Sequence, residues 1–488
     1  MNNSATKLGR ALCVSIAVLV TAMLAVATVY VHEHVDDKMV IGYWWFGNIA
    51  LLFCVIAFVK GRRFTHLPVA LGRTVAIVPA FEEDEETLRA CIWSILNQTV
   101  SPDEIHVVDD GSVDKPVRPF VHPRVTWHRK ENGGKRLAQG YVLERLNPDD
   151  WDFILTVDGD SVLDPKAMEH MLRAFSNPKV MAATGMVLVR NMRHNLLTRI
   201  ADMNIGTSCV MMRASRSLLG TLETTSGALA VYRAPILFKH RERYVSSGTY
   251  GDDRALAMYS ALEGEVVGVN EALVWSDMPT DRKTTYKQRL RWSKSWWCMI
   301  PFVLTNMDKF RQMFFPLFGM VQLVVAPLTI GYMVFAISFN AFHGIVHWTS
   351  ILMYGCVYFG IRYGETALYM VERPGMPRKE RVLMWLFITP LEAFVNLLFL
   401  NPTKYIALIK LRDHGWGTRG NAHSRKRGAH KQGKGGRHRA GMAPLTPTLP
   451  IPVQRHEDTI PLKKLYDPET TITTELPLPV NLRGVPEN

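Results

Sequence analysis

Cysteine is scarce in this chain of 488 residues. Its six thiols, Cys13, Cys54, Cys91, Cys209, Cys298 and Cys356, form no C-x-x-C and no cluster with histidine. That excludes a disulfide framework and a zinc site. Acid is missing altogether between Thr418 and Gly441, where 8 Lys and Arg stand alone. With a net charge of +13, this imbalance points to an anionic membrane face or to nucleic acid. Neither that stretch nor the Pro- and Thr-rich end after it can bury a core, so residues 421–488 are expected to be a disordered tail.

What is present is long apolar runs. Leu12 to Val31 and Met39 to Val59 are each long enough to cross a bilayer. Ala25-Val26-Ala27 has the form of a signal-peptidase site, but a second run follows at once, so residues 1–63 are read as two transmembrane helices. The linker between them is acidic and both outer flanks are basic, which places the amino terminus and the chain after Lys60 in the cytosol. Phe314 to Phe339 and Ile345 to Met370 are two further spans. Val382 to Leu411 is apolar but interrupted by Pro390 and Pro402, and is expected to form two short crossings or a re-entrant hairpin within 314–411. Arg362 and Glu365 fall inside a span, either as a functional site or as an i, i+3 pair. Residues 282–313 mix Arg and Lys with Trp296 and Trp297, the composition of helices lying in the membrane interface. Nucleic-acid binding competes for basic and aromatic residues, but spans bracket the segment, so no nucleic acid is expected.

Residues 64–281 look soluble, with strands alternating with helices. That pattern predicts an α/β domain, its sheet mostly parallel and covered by helices on both faces. Strands are expected at Thr74 to Val78, Ile105 to Val108, Val125 to Trp127 and Phe153 to Val157. Asp84 caps a helix whose Leu88, Cys91, Ile92, Ile95 and Leu96 share one face.

Carboxylates gather just past these strands, where open α/β sheets place ligands. Asp158 and Asp160 are separated by one glycine, and two hard oxygen donors suit Mg²⁺ or Mn²⁺. Alone they read more readily as a turn whose aspartates cap the next helix. Phe81 can stack on a base, and Glu83, Asp109 and Asp110 offer acceptors. Gly133-Gly134-Lys135-Arg136 opens a helix, a place that favours phosphate. Asp253 can take a proton from an acceptor hydroxyl, or can pair with Arg254 at a capped helix start. Gln288 and Trp292 share a helix face within Q-x-x-R-W. Arg291 can meet a diphosphate and Trp292 can stack on a sugar.

The motifs in their order are VVDDGS (107–112), DGD (158–160), SGALAVYR (226–233), GDDR (251–254), QRLRW (288–292) and WGTR (416–419). Together they resemble processive membrane glycosyltransferases of family 2, most of all the class I hyaluronan synthases, from about Leu12 to Arg419. The resemblance implies a GT-A-like cytosolic domain on a multi-span membrane domain. It implies UDP-sugar donors, Mg²⁺ or Mn²⁺, and a β-linked polysaccharide extruded through the spans by a chain that works as a monomer. Asp109 and Asp110 would bind uridine, Asp158 and Asp160 donor and metal. Ser226 and Gly227 would lie near the sugars, and Asp253 would be the general base. Arg291 would bind diphosphate, Trp292 the acceptor, and Trp416 to Arg419 (within 412–420) would close over the nucleotide. Ala228 and Gly159 depart from the family, which often has Pro and Ser there; the first leaves sugar identity open. A chitin-like single-donor synthase, a polysaccharide exporter that only binds nucleotide sugar, and a nucleic-acid-associated membrane protein are the competing readings.

Overall fold

The computed structural model describes residues 38–60, 64–247, 251–315 and 348–411, with a few isolated positions besides. The expected span Leu12 to Val31, nearly all of Phe314 to Phe339, Trp416, Arg419 and the tail lie outside the described residues.

Eight strands form one sheet: β1 (Thr74–Ala80), β2 (Glu104–Asp109), β3 (Val125–Arg129), β4 (Phe153–Thr156), β5 (Ser161–Leu163), β6 (Val180–Val189), β7 (Ala230–Arg233) and β8 (Glu265–Ser276). Every residue of β1 is buried. Val75 and Ile77 face one core while Ala76 and Val78 face the other, the alternation of a strand covered on both sides. α1 (Lys38–Lys60) precedes the sheet. Asp84 caps α2 (Glu85–Leu96) by accepting from the Thr87 amide at 3.2 Å, and the five residues expected on its inner face are buried. α3 (Lys135–Leu143) leads to β4, and α4 (Ala167–Ala174) to β6.

The sheet order is β3-β2-β1-β4-β7-β6-β8-β5. The expected mostly parallel sheet is found only in its first half, β3-β2-β1-β4. There α2 and α3 supply the crossovers that parallel pairing needs. Beyond β4 the alternation lapses, with only four residues before β5. β7 runs antiparallel to β4 and β6, β5 runs antiparallel to β8, and β6 with β8 is the one parallel pair left, so the sheet is mixed.

After β6 come α5 (Leu196–Thr207) and, past β7, α6 (Asp252–Glu263), α7 (Arg282–Asn306), α8 (Trp348–Glu372) and α9 (Arg378–Ile409). Among the described residues α9 is the helix long and apolar enough to cross a membrane. Its continuity corrects the expected hairpin. Pro390 and Pro402 each follow a π-helical stretch, Met384–Ile388 and Asn396–Leu400. The widened turn makes room for the proline ring, and the helix runs on. Leu368, Tyr369, Met370, Met376, Met384 and Ile388 of this carboxyl-terminal part share one core with Met186, Met203 and Ile205. Buried Asp202 on α5 accepts from the Val189 amide at 3.2 Å, Tyr369 Oη at 2.9 Å and Arg373 Nη2 at 3.0 Å.

β2 and β3 carry a stacked pair, His106 Nδ1 lying 2.9 Å from His128 Nε2. Burial, then the neighbouring His106 and Arg145, push His128 down to about 4 from an ordinary 6.5. As pH falls, the unfolded chain therefore takes up this proton first. The stability contributed is full above about pH 6.5 and is lost toward pH 4. Thermal midpoints should fall across that window, and His128→Gln should flatten the slope; equal slopes would exonerate His128.

Candidate active site

β2, β1 and β4 are adjacent and parallel, so the segments after Ala80, Asp109 and Thr156 lie on one edge of the sheet. Half-buried Phe81 and Glu83 follow β1. Between them Glu82 takes a positive φ of 51°, a conformation non-glycine residues adopt at some cost. Its carboxylate accepts from the amides of Val113 (2.7 Å), Asp114 (3.1 Å) and Lys115 (2.6 Å). Glu82 thus shapes the loop after VVDDGS, a task no spacing rule assigned to it.

Asp109 and Asp110 are both buried. Asp109 accepts from the Ser112 amide at 2.9 Å and lies 3.2 Å from Arg129 Nη1. Asp110 accepts from Lys130 Nζ at 2.6 Å and from the amides of Gly133 (3.1 Å) and Gly134 (2.6 Å). The amides expected to greet a phosphate are therefore held by a carboxylate of the same chain. Gly134 has φ 92°, which lets the backbone turn toward Asp110.

The next two residues part company. Arg136 is buried and grips Asp252 through Nε (2.9 Å) and Nη2 (2.7 Å), fixing the first turn of α6 against α3. Lys135 bridges Asp158 Oδ1 at 2.7 Å and Asp253 Oδ1 at 3.1 Å. Carboxylates 95 residues apart in sequence thus meet on one ammonium. Burial draws Lys135 toward neutrality, but Asp158 and Asp253 outweigh it and hold its pKa above the ordinary lysine value. Burial, reinforced by Asp158, raises Asp253 above the ordinary aspartate range although Lys135 opposes it. A carboxylate so placed is a better proton acceptor than one in water. Arg254 is not its partner: it pairs with Glu223 at 3.1 Å and donates to Ser295 Oγ at 3.2 Å.

Gly227 closes the group. A Cβ there would lie 2.5 Å from Lys135 Nζ, 2.6 Å from Asp158 Oδ2 and 3.0 Å from Asp253 Oδ2, so any side chain would have to push these charged ends aside. Its carbonyl accepts from the Asp158 amide at 2.9 Å, and the Ser226 amide donates to Thr184 Oγ1 at 2.9 Å.

Asp160, two residues on, lies near Ser161 Oγ (3.2 Å) and Ser276 Oγ (3.5 Å). Burial, then the charges of Asp160, Asp158 and Glu83, push the Cys91 thiol well above its usual pKa, so it is no nucleophile. Among the described residues no three or more His, Cys, Asp or Glu form a ready metal cage. Mg²⁺ often needs only one or two carboxylates beside substrate phosphates, and half-buried Asp158 and Asp160 offer such hard oxygens just past β4. The donor set fits a hard divalent ion.

On α7, Gln288 and Arg291 are half-buried and Trp292 is 37% exposed. Among the described residues the buried Nε atoms of both Arg289 and Arg291 have no hydrogen-bond partner.

Residues 72–295 match the family described as "Glycosyltransferase like family 2". A hyaluronan synthase of Streptococcus pyogenes is 30% identical over 370 residues, 71% of this chain and 83% of that protein. An N-acetylglucosaminyltransferase of Azorhizobium caulinodans is 30% identical over 252 residues, 49% of this chain and 62% of its own. A solved mannosyltransferase of Pyrobaculum calidifontis, in complex with GDP-Man and Mn²⁺, superposes with a TM-score of 0.46 at 15% identity, covering 74% of this chain and 98% of its own. With a family match that runs through the cluster of Lys135, Asp158, Gly227 and Asp253, and a 30% identical relative covered over 83% of its length, this chain belongs to the family 2 glycosyltransferases, as a relative of the hyaluronan synthases.

Proposed function

We propose that this enzyme is a processive, inverting polysaccharide synthase that uses UDP-glucuronate and UDP-N-acetylglucosamine in turn and extrudes hyaluronan through its own membrane helices. The observation that carries the reading is the meeting of Asp158 and Asp253 on Lys135 beneath Gly227. A pure nucleotide-sugar binder has no need of a raised-pKa carboxylate beside the acidic donor site; a transferase does.

In this reading the acceptor hydroxyl oxygen attacks the anomeric carbon of the donor from the face opposite the diphosphate. The new C–O bond forms as the bond to the diphosphate oxygen breaks, which inverts the centre. Asp253 takes the hydroxyl proton and UDP leaves. Lys135 and the unpartnered Arg291 Nε offer donors to the diphosphate. Asp158 and Asp160 would hold Mg²⁺ or Mn²⁺, which supplies neutralisation of the charge gathering on the leaving group. The loop braced by Asp109, Asp110 and Glu82 receives uridine, with Phe81 as its stacking face. Trp292 supports the acceptor sugar, and Trp416 and Arg419 close over the nucleotide. α1 and α8 belong to the exit path, and α9 meets the catalytic domain near both of its ends, Glu380 with Arg193 and the Lys404 carbonyl with Trp297, so the chain leaves it on the cytosolic side.

Purified enzyme in lipid, given Mn²⁺ and the two UDP-sugars singly and together, tests this. UDP release and a product cut by a hyaluronan-specific lyase are expected only with both donors. Steady release with one donor would favour a chitin-like synthase. No release with any UDP-sugar would leave an exporter.

A further inference from the structure

Arg289 lies inside Q-x-x-R-W but is not one of its named letters. Its guanidinium sits 4.6 Å from the centroid of the Trp292 ring. Nη1 donates to Asn204 Oδ1 on α5 at 3.2 Å. Asn204 Nδ2 in turn donates to Glu392 Oε1 on α9 at 2.8 Å. Glu392 is fully buried, and its other oxygen accepts from Arg362 Nη2 on α8 at 2.5 Å. Arg362 Nη1 also donates to Glu365 at 2.5 Å, so the i, i+3 pair expected from the sequence exists within a longer chain of contacts. Two guanidiniums and two carboxylates alternate from the tryptophan to the interior of the membrane helices.

A guanidinium is costly to bury, and an apolar side chain would fill the same space more cheaply. What an apolar side chain cannot do is hold an indole by a directed, planar contact while being anchored at its far edge. We propose that Arg289 is a positioning residue: clamped through Asn204 to Glu392 of α9, it fixes the Trp292 ring as the acceptor's platform. The acceptor's register to Asp253 is thereby set from within the membrane helices. This rests on the acceptor role of Trp292 given above. Losing the platform lets the growing chain slip away between transfers while the donor site is untouched.

The test compares Arg289→Leu, Arg289→Lys and Asn204→Leu with the unaltered enzyme in lipid, reading donor KM, UDP release and product length on gels. Arg289→Leu and Asn204→Leu should shorten the average product about tenfold, the size of effect a desolvated cation–π contact supports, with donor KM unchanged within about twofold. Arg289→Lys keeps the charge but not the flat plate and should recover only part of the length. Unchanged length in Arg289→Leu overturns the proposal. So does a parallel loss of donor affinity, release and length in all three, which would mark a merely structural residue. Should Arg289→Leu fail to fold, Asn204→Leu decides alone, since Asn204 contacts neither the ring nor the donor cluster. An unaltered enzyme that makes no polymer would instead overturn the synthase reading.

Discussion

Asp253→Asn should cut polymer synthesis by about 10³-fold while UDP binding stays within about twofold. Asparagine has nearly the same shape and can still accept a hydrogen bond from Lys135, so the cluster should hold. What it lacks is the capacity to take the acceptor's proton. Asp252 cannot stand in, because both bonds from Arg136 and burial to 3% exposure keep it turned away. Polymer yield by radiolabelled donor, set beside UDP affinity by calorimetry, separates the two effects. Near-normal synthesis would assign the base elsewhere.

The second large effect is on stability. Arg136→Met removes the cation from a buried pair and leaves the Asp252 carboxylate stranded, which costs about 3–5 kcal/mol. Thermal unfolding in detergent should show a midpoint several degrees lower. The double variant R136M/D252L, which removes both charges, should regain most of the loss, because a well-packed apolar pair costs little in place of an ion pair. If the double variant is no better than the single one, the damage lies in packing and not in the uncompensated charge.

Much of this arrangement was legible beforehand. Parallel strands ending on one edge follow from apolar runs broken by acidic, glycine-bearing loops, and β1, β2 and β4 obey that logic. The capped helix after Asp84 was equally plain, because capping depends on residues three apart. Partner choice among adjacent charges was not. GDDR offers two aspartates and an arginine, and only the placement of α3 and of the loop before β7 around α6 decides that Asp252 meets Arg136, Asp253 meets Lys135 and Arg254 meets Glu223. Gly133 and Gly134 read as free amides because their partner, Asp110, lies 23 and 24 residues upstream. Prolines read as breaks in Val382 to Leu411 because a propensity scale carries no term for a π turn. The switch to antiparallel strands after β4 likewise depends on which edge a distant strand finds open.

The shared packing between the sheet and the carboxyl-terminal helices has a practical corollary. The Asp202 carboxylate takes its guanidinium from Arg373, and methionines from both regions fill one interior. Cutting the chain after α7 would bare that interior and leave Asp202 facing a void, so the catalytic part is not a module that can be harvested as a soluble fragment. Anyone wishing to crystallise or screen it must carry the hydrophobic helices along.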